Sequence, residues 1–375
     1  MQKSWSHLAA VSVIITAGIN IITVLPFMVG ATGDHLGFSK LSLGWFAAAD
    51  TTGVMISGLS VYQLGKRWSL RGLVMTGLFV QMLLHLVSLL WLTPAPLIVT
   101  RLAAGWFGGL AYTAALSYFA KLERPELGFT SYIIWYSIIS GILLMIYPHL
   151  LAGNYFWGYG ILVAFTAGAL GLAHRLFPPG EGPAFRKDRQ ILQGNKIGWV
   201  LVAFLFFQCA NSSIFSFSER LGKASGLSSG FMGFSIGFSI LIGLIAGFLV
   251  LYLARWMTYA RQIVFGLSTM LVAIVLLYLR PDEAWFYFGG ITLLEFGFSI
   301  TLPNLFSLLA RRDPSGSKVA LGTITNWLGQ GLGPALAALY IQHRDFTQIV
   351  IPGSIFLIFS MLSMLVNSLS SKRTI

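Results

Sequence analysis

Apolar residues follow one another for about twenty positions at a time along most of this chain, with charged residues, Pro or Gly only between the runs. The runs fall at 8–30, 43–64, 70–92, 95–120, 128–152, 156–177, 197–219, 229–253, 262–280, 284–309, 319–342 and 347–369. Roughly 20 apolar residues in helical form cross the hydrocarbon core of a bilayer, so the pattern predicts twelve transmembrane helices. A membrane β-barrel would instead alternate apolar and polar positions over short strands. The longest polar stretch, 178–196, is rich in Pro, Gly and charge, and it separates a six-helix bundle at 1–177 from another at 197–375. The expected fold is therefore all-α, with two pseudo-symmetric six-helix bundles joined by a cytoplasmic linker.

Composition supports this reading. The chain has 375 residues, of which 56% are hydrophobic and 10% charged, against about 25% charged in an ordinary soluble domain. Its net charge of +12 would suit a nucleic-acid partner, but the basic residues sit in short clusters between apolar runs, with no domain to carry a groove-reading element. Cytoplasmic loops of membrane proteins are enriched in Lys and Arg. With the N-terminus inside, every Lys and Arg except Lys40, Arg101, Arg220, Lys223, Arg280 and Arg344 falls on the cytoplasmic side. Both termini are accordingly expected in the cytoplasm, in a multi-pass protein of a cell membrane, a bacterial inner membrane fitting best. The first run is too long for a signal-peptide core.

The two halves repeat each other faintly. Thr16 to Thr23 reads TAGINIIT and Gln208 to Phe215 reads QCANSSIF, each with an Asn at mid-depth; spans five and eleven both carry a Trp and polar residues in their first half. Six-span halves of this kind are an architecture of secondary transporters, with the substrate site near the midplane. Span four, RLAAGWFGGLA from Arg101 to Ala111, resembles the span-four signature of the major facilitator superfamily, an inward Arg followed by glycines that let helices approach. The loop GLSVYQLGKR, Gly58 to Arg67, resembles the family's G-x-x-x-D-R-x-G-R-R loop but has Tyr62-Gln63 in place of the Asp-Arg pair. The resemblance implies that the cytoplasmic latch supplied by that Asp is weakened or replaced. The family's antiporter signature in span five is missing, and a GQGLGP run stands in span eleven, Gly329 to Pro334. Span two, GWFAAADTTG, is similar to short bacterial members often called YbfB-like.

Charge within a span costs roughly 2.5–3.5 kcal/mol at the helix centre, which makes it a functional candidate. Glu295 lies near the middle of span ten and Asp50 about a third of the way into span two. Desolvation penalises a carboxylate, which suits a proton carrier, so these two are the candidate proton-coupling residues. The alternative for Asp50 is a fixed ion pair with Arg101, because both occupy the outer third of adjacent spans. Polar side chains at helical spacing are the candidate substrate contacts: Asn20 in span one, Gln208 and Asn211 in span seven, Asn326 and Gln330 in span eleven, with Arg101 and the rings of Tyr132 and Tyr136.

Other chemistries lack their motifs. The sequence holds no HxxxH, no HExxH and no phosphate-binding G-x-x-x-x-G-K-[ST] loop, and Cys209 is the single cysteine. No cofactor, metal or catalytic residue is expected, and the protein is not read as an enzyme. The expected function is secondary active transport of a small neutral, zwitterionic or cationic amphiphilic solute by a proton-coupled monomer working by alternating access. The alternatives are a multidrug or metabolite exporter of the same fold, and beyond these an intramembrane enzyme or a receptor.

Overall fold

The computed structural model describes residues 5–65, 67–119, 122, 125–178, 198–280, 282–311 and 317–372. The linker expected at 178–196 lies outside these residues except for Pro178, as do Lys3, Lys66, Lys121, Arg124, Arg312 and Arg373 of the basic segments. Among the described residues the regular structure is helical throughout, with no strand. The chain divides into two compact units, one formed by 1–38 and 45–188, the other by 39–44 and 189–375.

The first unit comprises α1 (Trp5–Gly18), α2 (Asn20–Thr23), α3 (Leu25–Leu36), α4 (Lys40–Leu64) from Trp45 onward, α5 (Leu70–Ser88), α6 (Pro94–Phe119), α7 (Pro125–Gly153) and α8 (Tyr155–Leu176). The apolar run expected as one helix at 8–30 is thus three segments, broken at Ile19 and Val24. Pro26 accounts for the second break. It has no N–H to give a continuing helix, and a fresh start at Leu25 places it in the first turn, where that donor is not needed. The first break is held from outside: the Gln81 amide donates to the Gly18 carbonyl at 3.2 Å. The core of this unit joins Val11, Ile14 and Ile15 of α1, Leu73, Val74 and Leu78 of α5, and Ala169 and Ala173 of α8 around the small face of α6, Ala111, Ala114 and Ala115. Those alanines, like the glycines before them, bring helix backbones close without a bulky side chain between them.

The second unit comprises α9 (Gly198–Ser216), α10 (Ser218–Ala224), α11 (Ser229–Leu253), α12 (Tyr259–Leu279), α13 (Ala284–Arg311), α14 (Ser317–Ile341), a 3-10 turn (Phe346–Ile349) and α15 (Val350–Lys372). Its first helix is also interrupted, at Phe217. Aromatic pairs join its helices: Phe207 stacks on Phe298 with centroids 5.4 Å apart, Phe206 on Phe359 at 5.2 Å, and Phe204 meets Phe306 edge-on at 4.9 Å. Equivalent helices begin alike in the two units. The Ser69 hydroxyl accepts from Gly72 N ahead of α5, and the Thr258 hydroxyl accepts from Arg261 N ahead of α12, the N-cap arrangement that satisfies an orphan donor of the first turn. Among the described residues eight helices are long and apolar enough to cross a membrane: α5, α7, α8, α9, α11, α12, α13, and α15 with its preceding turn.

Candidate functional site

Each unit encloses one mid-helix carboxyl, and the two are treated differently. In the first unit Asp50 of α4 is buried and accepts a bidentate pair from Arg101 of α6, Nε to Oδ2 at 2.9 Å and Nη2 to Oδ1 at 2.6 Å. The pairing anticipated from their positions along the spans is present. It depends on close helix approach, because a Cβ at Gly105 would collide with the Asp50 backbone. Arg101 itself is wholly enclosed, 0% exposed. Its Nη1 reaches His85 Nδ1 at 3.0 Å and the Ser88 hydroxyl at 3.2 Å, both on α5, and the guanidinium lies 5.7 Å from the centroid of Tyr159 on α8. A guanidinium only donates, so His85 Nδ1 is the acceptor and the ring's proton sits on Nε2, which is buried without a partner. With these bonds four of the five guanidinium donors are engaged inside the unit.

The buried polar residues of span one are likewise committed locally. Asn20 is fully buried; its Nδ2 donates to Thr166 Oγ1 at 2.9 Å and Leu162 O at 3.3 Å on α8, and its Oδ1 accepts from Gln81. It bridges three helices at the α1–α2 break. Ser12 and Thr16 return their hydroxyls to carbonyls one turn earlier. Tyr132 and Tyr136 of α7 form a chain of rings with Tyr112 of α6, at centroid separations of 6.2 Å and 5.7 Å, and Tyr112 and Tyr132 share a hydrogen bond.

In the second unit Glu295 of α13 is 7% exposed. Its polar neighbour is Asn211 of α9, whose side chain hydrogen-bonds the carboxyl. A carboxylate accepts only, so the amide nitrogen of Asn211 faces it. Among the described residues, Oε1 of Glu295 and Oδ1 of Asn211 are both buried without a hydrogen-bond partner, and so are the side-chain oxygens of Gln208, Thr292 and Asn326. Gln208 lies one turn before Asn211 on α9, and Thr292 one turn before Glu295 on α13, so each shares its neighbour's face. Gly329 of α14 backs directly onto Gln208, and the Ser212 hydroxyl donates to the Gly329 carbonyl at 3.2 Å. Asn326 stands one turn before that contact, and Gln330 beside it is half-buried.

His85, Ser88, Gln81 and Tyr159 were not among the residues singled out from the sequence. The first three recur at steps of four and three in an otherwise apolar helix, the spacing that puts side chains on one helix face.

The sequence profile of the Major Facilitator Superfamily matches residues 8–338. The chain belongs to that family and is a membrane transporter, not an enzyme. No curated protein sequence matches it. Among solved structures it is similar to a mutant form of the nucleoside transporter NupG at TM-score 0.76 and 12% identity, covering 97% of this chain and 98% of that one. It is similar to a D-xylose-proton symporter at TM-score 0.75 and 14% identity, with 97% and 96% covered. A bacterial homolog of the human lysosomal transporter Spinster gives TM-score 0.74 and 12% identity, with 99% and 98% covered. At these identities the likeness establishes the fold.

Proposed function

We propose that this protein is a twelve-span, proton-coupled secondary transporter of a small organic solute, working by alternating access as a monomer in a bacterial inner membrane. The YbfB-like branch is the part of the family its span-two sequence suits best. The remaining four spans are α4, α6, α14 and the broken α1–α3 run. At 25, 26 and 25 residues, and about 1.5 Å per residue, α4, α6 and α14 each reach about 37 Å, more than a ~30 Å hydrocarbon core. Their glycines and polar residues lower the apolar average because they serve helix contacts.

The observation that carries the reading is Glu295: a carboxyl buried between apolar turns, held by one amide, with an oxygen left unpartnered. Such a group is tolerated in a membrane protein where it does work. Glu295 is assigned the coupling proton. Asp50 is the second coupling carboxyl, available only when its bond to Arg101 opens. Gln208, Asn211, Asn326, Gln330, Tyr132 and Tyr136 are assigned to the solute. Arg101 and Asn20 are given holding roles, since their polar atoms are already spent inside the first unit. The D-xylose-proton symporter among the structural neighbours shows that this fold accommodates such coupling.

The test is gradient-driven uptake in liposomes. Glu295→Gln keeps shape and hydrogen bonding but cannot release a proton. It is expected to abolish accumulation driven by a pH gradient. A gradient response like that of the unsubstituted protein would move the coupling role to Asp50.

A further inference from the structure

Four buried side-chain oxygens on three helices of the second unit have one character. Glu295 Oε1 and the side-chain oxygens of Asn211, Gln208 and Asn326 are all hydrogen-bond acceptors, they lie on α13, α9 and α14, and none has a partner among the described residues. Glu295, Gln208 and Asn211 are each more than nine-tenths buried. The Thr292 hydroxyl points the same way by a different route. On the same helix Thr301 and Ser307 return their hydroxyls to carbonyls one turn earlier, while the Thr292 oxygen is left open. Buried acceptors left unpaired cost about 1–3 kcal/mol each, so a set of them in one unit marks the place of a group that donates.

The charge narrows the class of that group. No Lys or Arg occurs within 198–216, 284–310 or 319–341, the stretches that carry these acceptors. The second unit's ion pairs, Arg220 with Glu219 and Arg280 with Glu283, lie at helix ends. Within those stretches no cationic side chain stands opposite an ionised Glu295.

We infer that the Glu295–Asn211–Gln208–Asn326 cluster binds the ammonium group of a primary-amine solute. A primary ammonium offers three donors and one positive charge. The carboxylate supplies the counter-charge, with Asn211 Nδ2 steadying one of its oxygens, and the amide oxygens of Asn211, Gln208 and Asn326 take the N–H groups left over. A neutral polyol would satisfy the acceptors and leave the charge bare; an acid would bring a second negative charge against Glu295. This deepens the transporter reading above and rests on it for the word solute.

The test uses the purified full chain and its single thiol. Cys209 is buried beside Gln208, so a thiol-reactive fluorophore reports unfolding. Phenethylamine, 2-phenylethanol, phenylacetate and N-acetylphenethylamine share a ring and differ at the head; hexylamine, hexanol and hexanoate repeat the comparison on an alkyl chain. Ligand that binds the folded state raises the melting temperature by mass action. At neutral pH the two amines are expected to raise it and the alcohols, acids and amide to leave it unchanged. Asn211→Leu is expected to weaken the amine effect about tenfold or more, as for a lost hydrogen bond to a charged group, and Glu295→Gln to remove it. Should Glu295→Gln fail to fold, Gln208→Leu and Asn326→Leu carry the same expectation as Asn211→Leu. An amine effect that survives Glu295→Gln, stabilisation by alcohols in place of amines, or no response to either amine overturns the assignment. Amine stabilisation without gradient-driven uptake would instead sink the transporter reading and leave the ammonium site standing.

Discussion

Asp50 in the first unit and Glu295 in the second are both carboxyls enclosed by apolar helices, yet their surroundings differ in kind. Asp50 has both oxygens bonded to one guanidinium, and that guanidinium has further partners on α5 and faces a ring on α8. Glu295 has one neutral amide and an open oxygen. The Asp50 carboxylate is satisfied without any ligand, although His85 Nε2 beside its partner stays open, whereas the Glu295 carboxyl is completed by something from outside the chain. A buried charge is therefore not one kind of signal. What its partners leave unsatisfied separates a holding element from a working one.

The largest effect should follow from breaking the completed pair. Removing one partner of a buried ion pair costs about 3–5 kcal/mol, since the other charge is left uncompensated. Arg101→Leu is expected to lower the melting temperature sharply, and Arg101→Leu combined with Asp50→Leu to recover much of the loss. Glu295→Gln should leave the melting temperature near that of the unsubstituted protein, because it removes a charge that has no cation opposite it. Equal losses for Arg101→Leu and Glu295→Gln would erase the distinction between the two units.

The sequence foretold the two compartments' contents unevenly. Runs of apolar residues and the spacing of basic clusters carried the helices, because lipid leaves a long segment no alternative that satisfies its backbone. The Asp50–Arg101 pair was legible for a similar reason: two opposite charges at one depth in neighbouring spans have few other ways to be compensated. The breaks at Ile19, Val24 and Phe217 were not legible from hydropathy, since Ile19, Ile21, Ile22 and Val24 are as apolar as any helix interior. Pro26 held the clue to one of them. The commitment of Asn20 to Thr166, Leu162 and Gln81 was hidden because it is set by helices far along the chain, and a mid-span Asn looks the same whether it bridges helices or lines a path. His85 has the look of a lone histidine, although the Gln81, His85, Ser88 spacing places it on a polar face.

A middle-sized effect concerns how each carboxyl site is held shut. Gly105 presses on the Asp50 backbone and Gly329 on Gln208, whereas Gly168 of α8 and Gly247 of α11 have open space where a Cβ would stand. Gly105→Ala and Gly329→Ala force helices apart and should each cost about 1–3 kcal/mol, the usual range for overpacking. Gly168→Ala and Gly247→Ala should be neutral or gain up to about 1 kcal/mol, the helix preference of Ala over Gly. Beyond stability, Gly105→Ala is expected to leave amine binding intact and Gly329→Ala to weaken it, because only the second displaces a member of the acceptor cluster. Melting temperatures with and without phenethylamine separate the two, and amine binding lost in Gly105→Ala would argue against independent sites.

The smallest effect tests the repeat itself. Ser69 and Thr258 occupy equivalent places, each ahead of the third long apolar run of its half, and each takes the N–H three residues on, at 3.1 Å and 3.4 Å. An N-cap hydroxyl replaced by Ala costs about 0.5–2 kcal/mol. The longer bond at Thr258 puts it at the lower end of that range and Ser69 somewhat above. Ser69→Ala and Thr258→Ala should therefore lower the melting temperature slightly, Ser69→Ala by the larger amount, with gradient-driven uptake unchanged, since neither hydroxyl touches a carboxyl site. Ser69→Gly and Thr258→Gly should cost only a few tenths of a kcal/mol, because Gly is itself tolerated at this position. If Ala and Gly were equally damaging at one position, the hydroxyl there would not be acting as a cap, and the two helix starts would be alike in shape but not in chemistry.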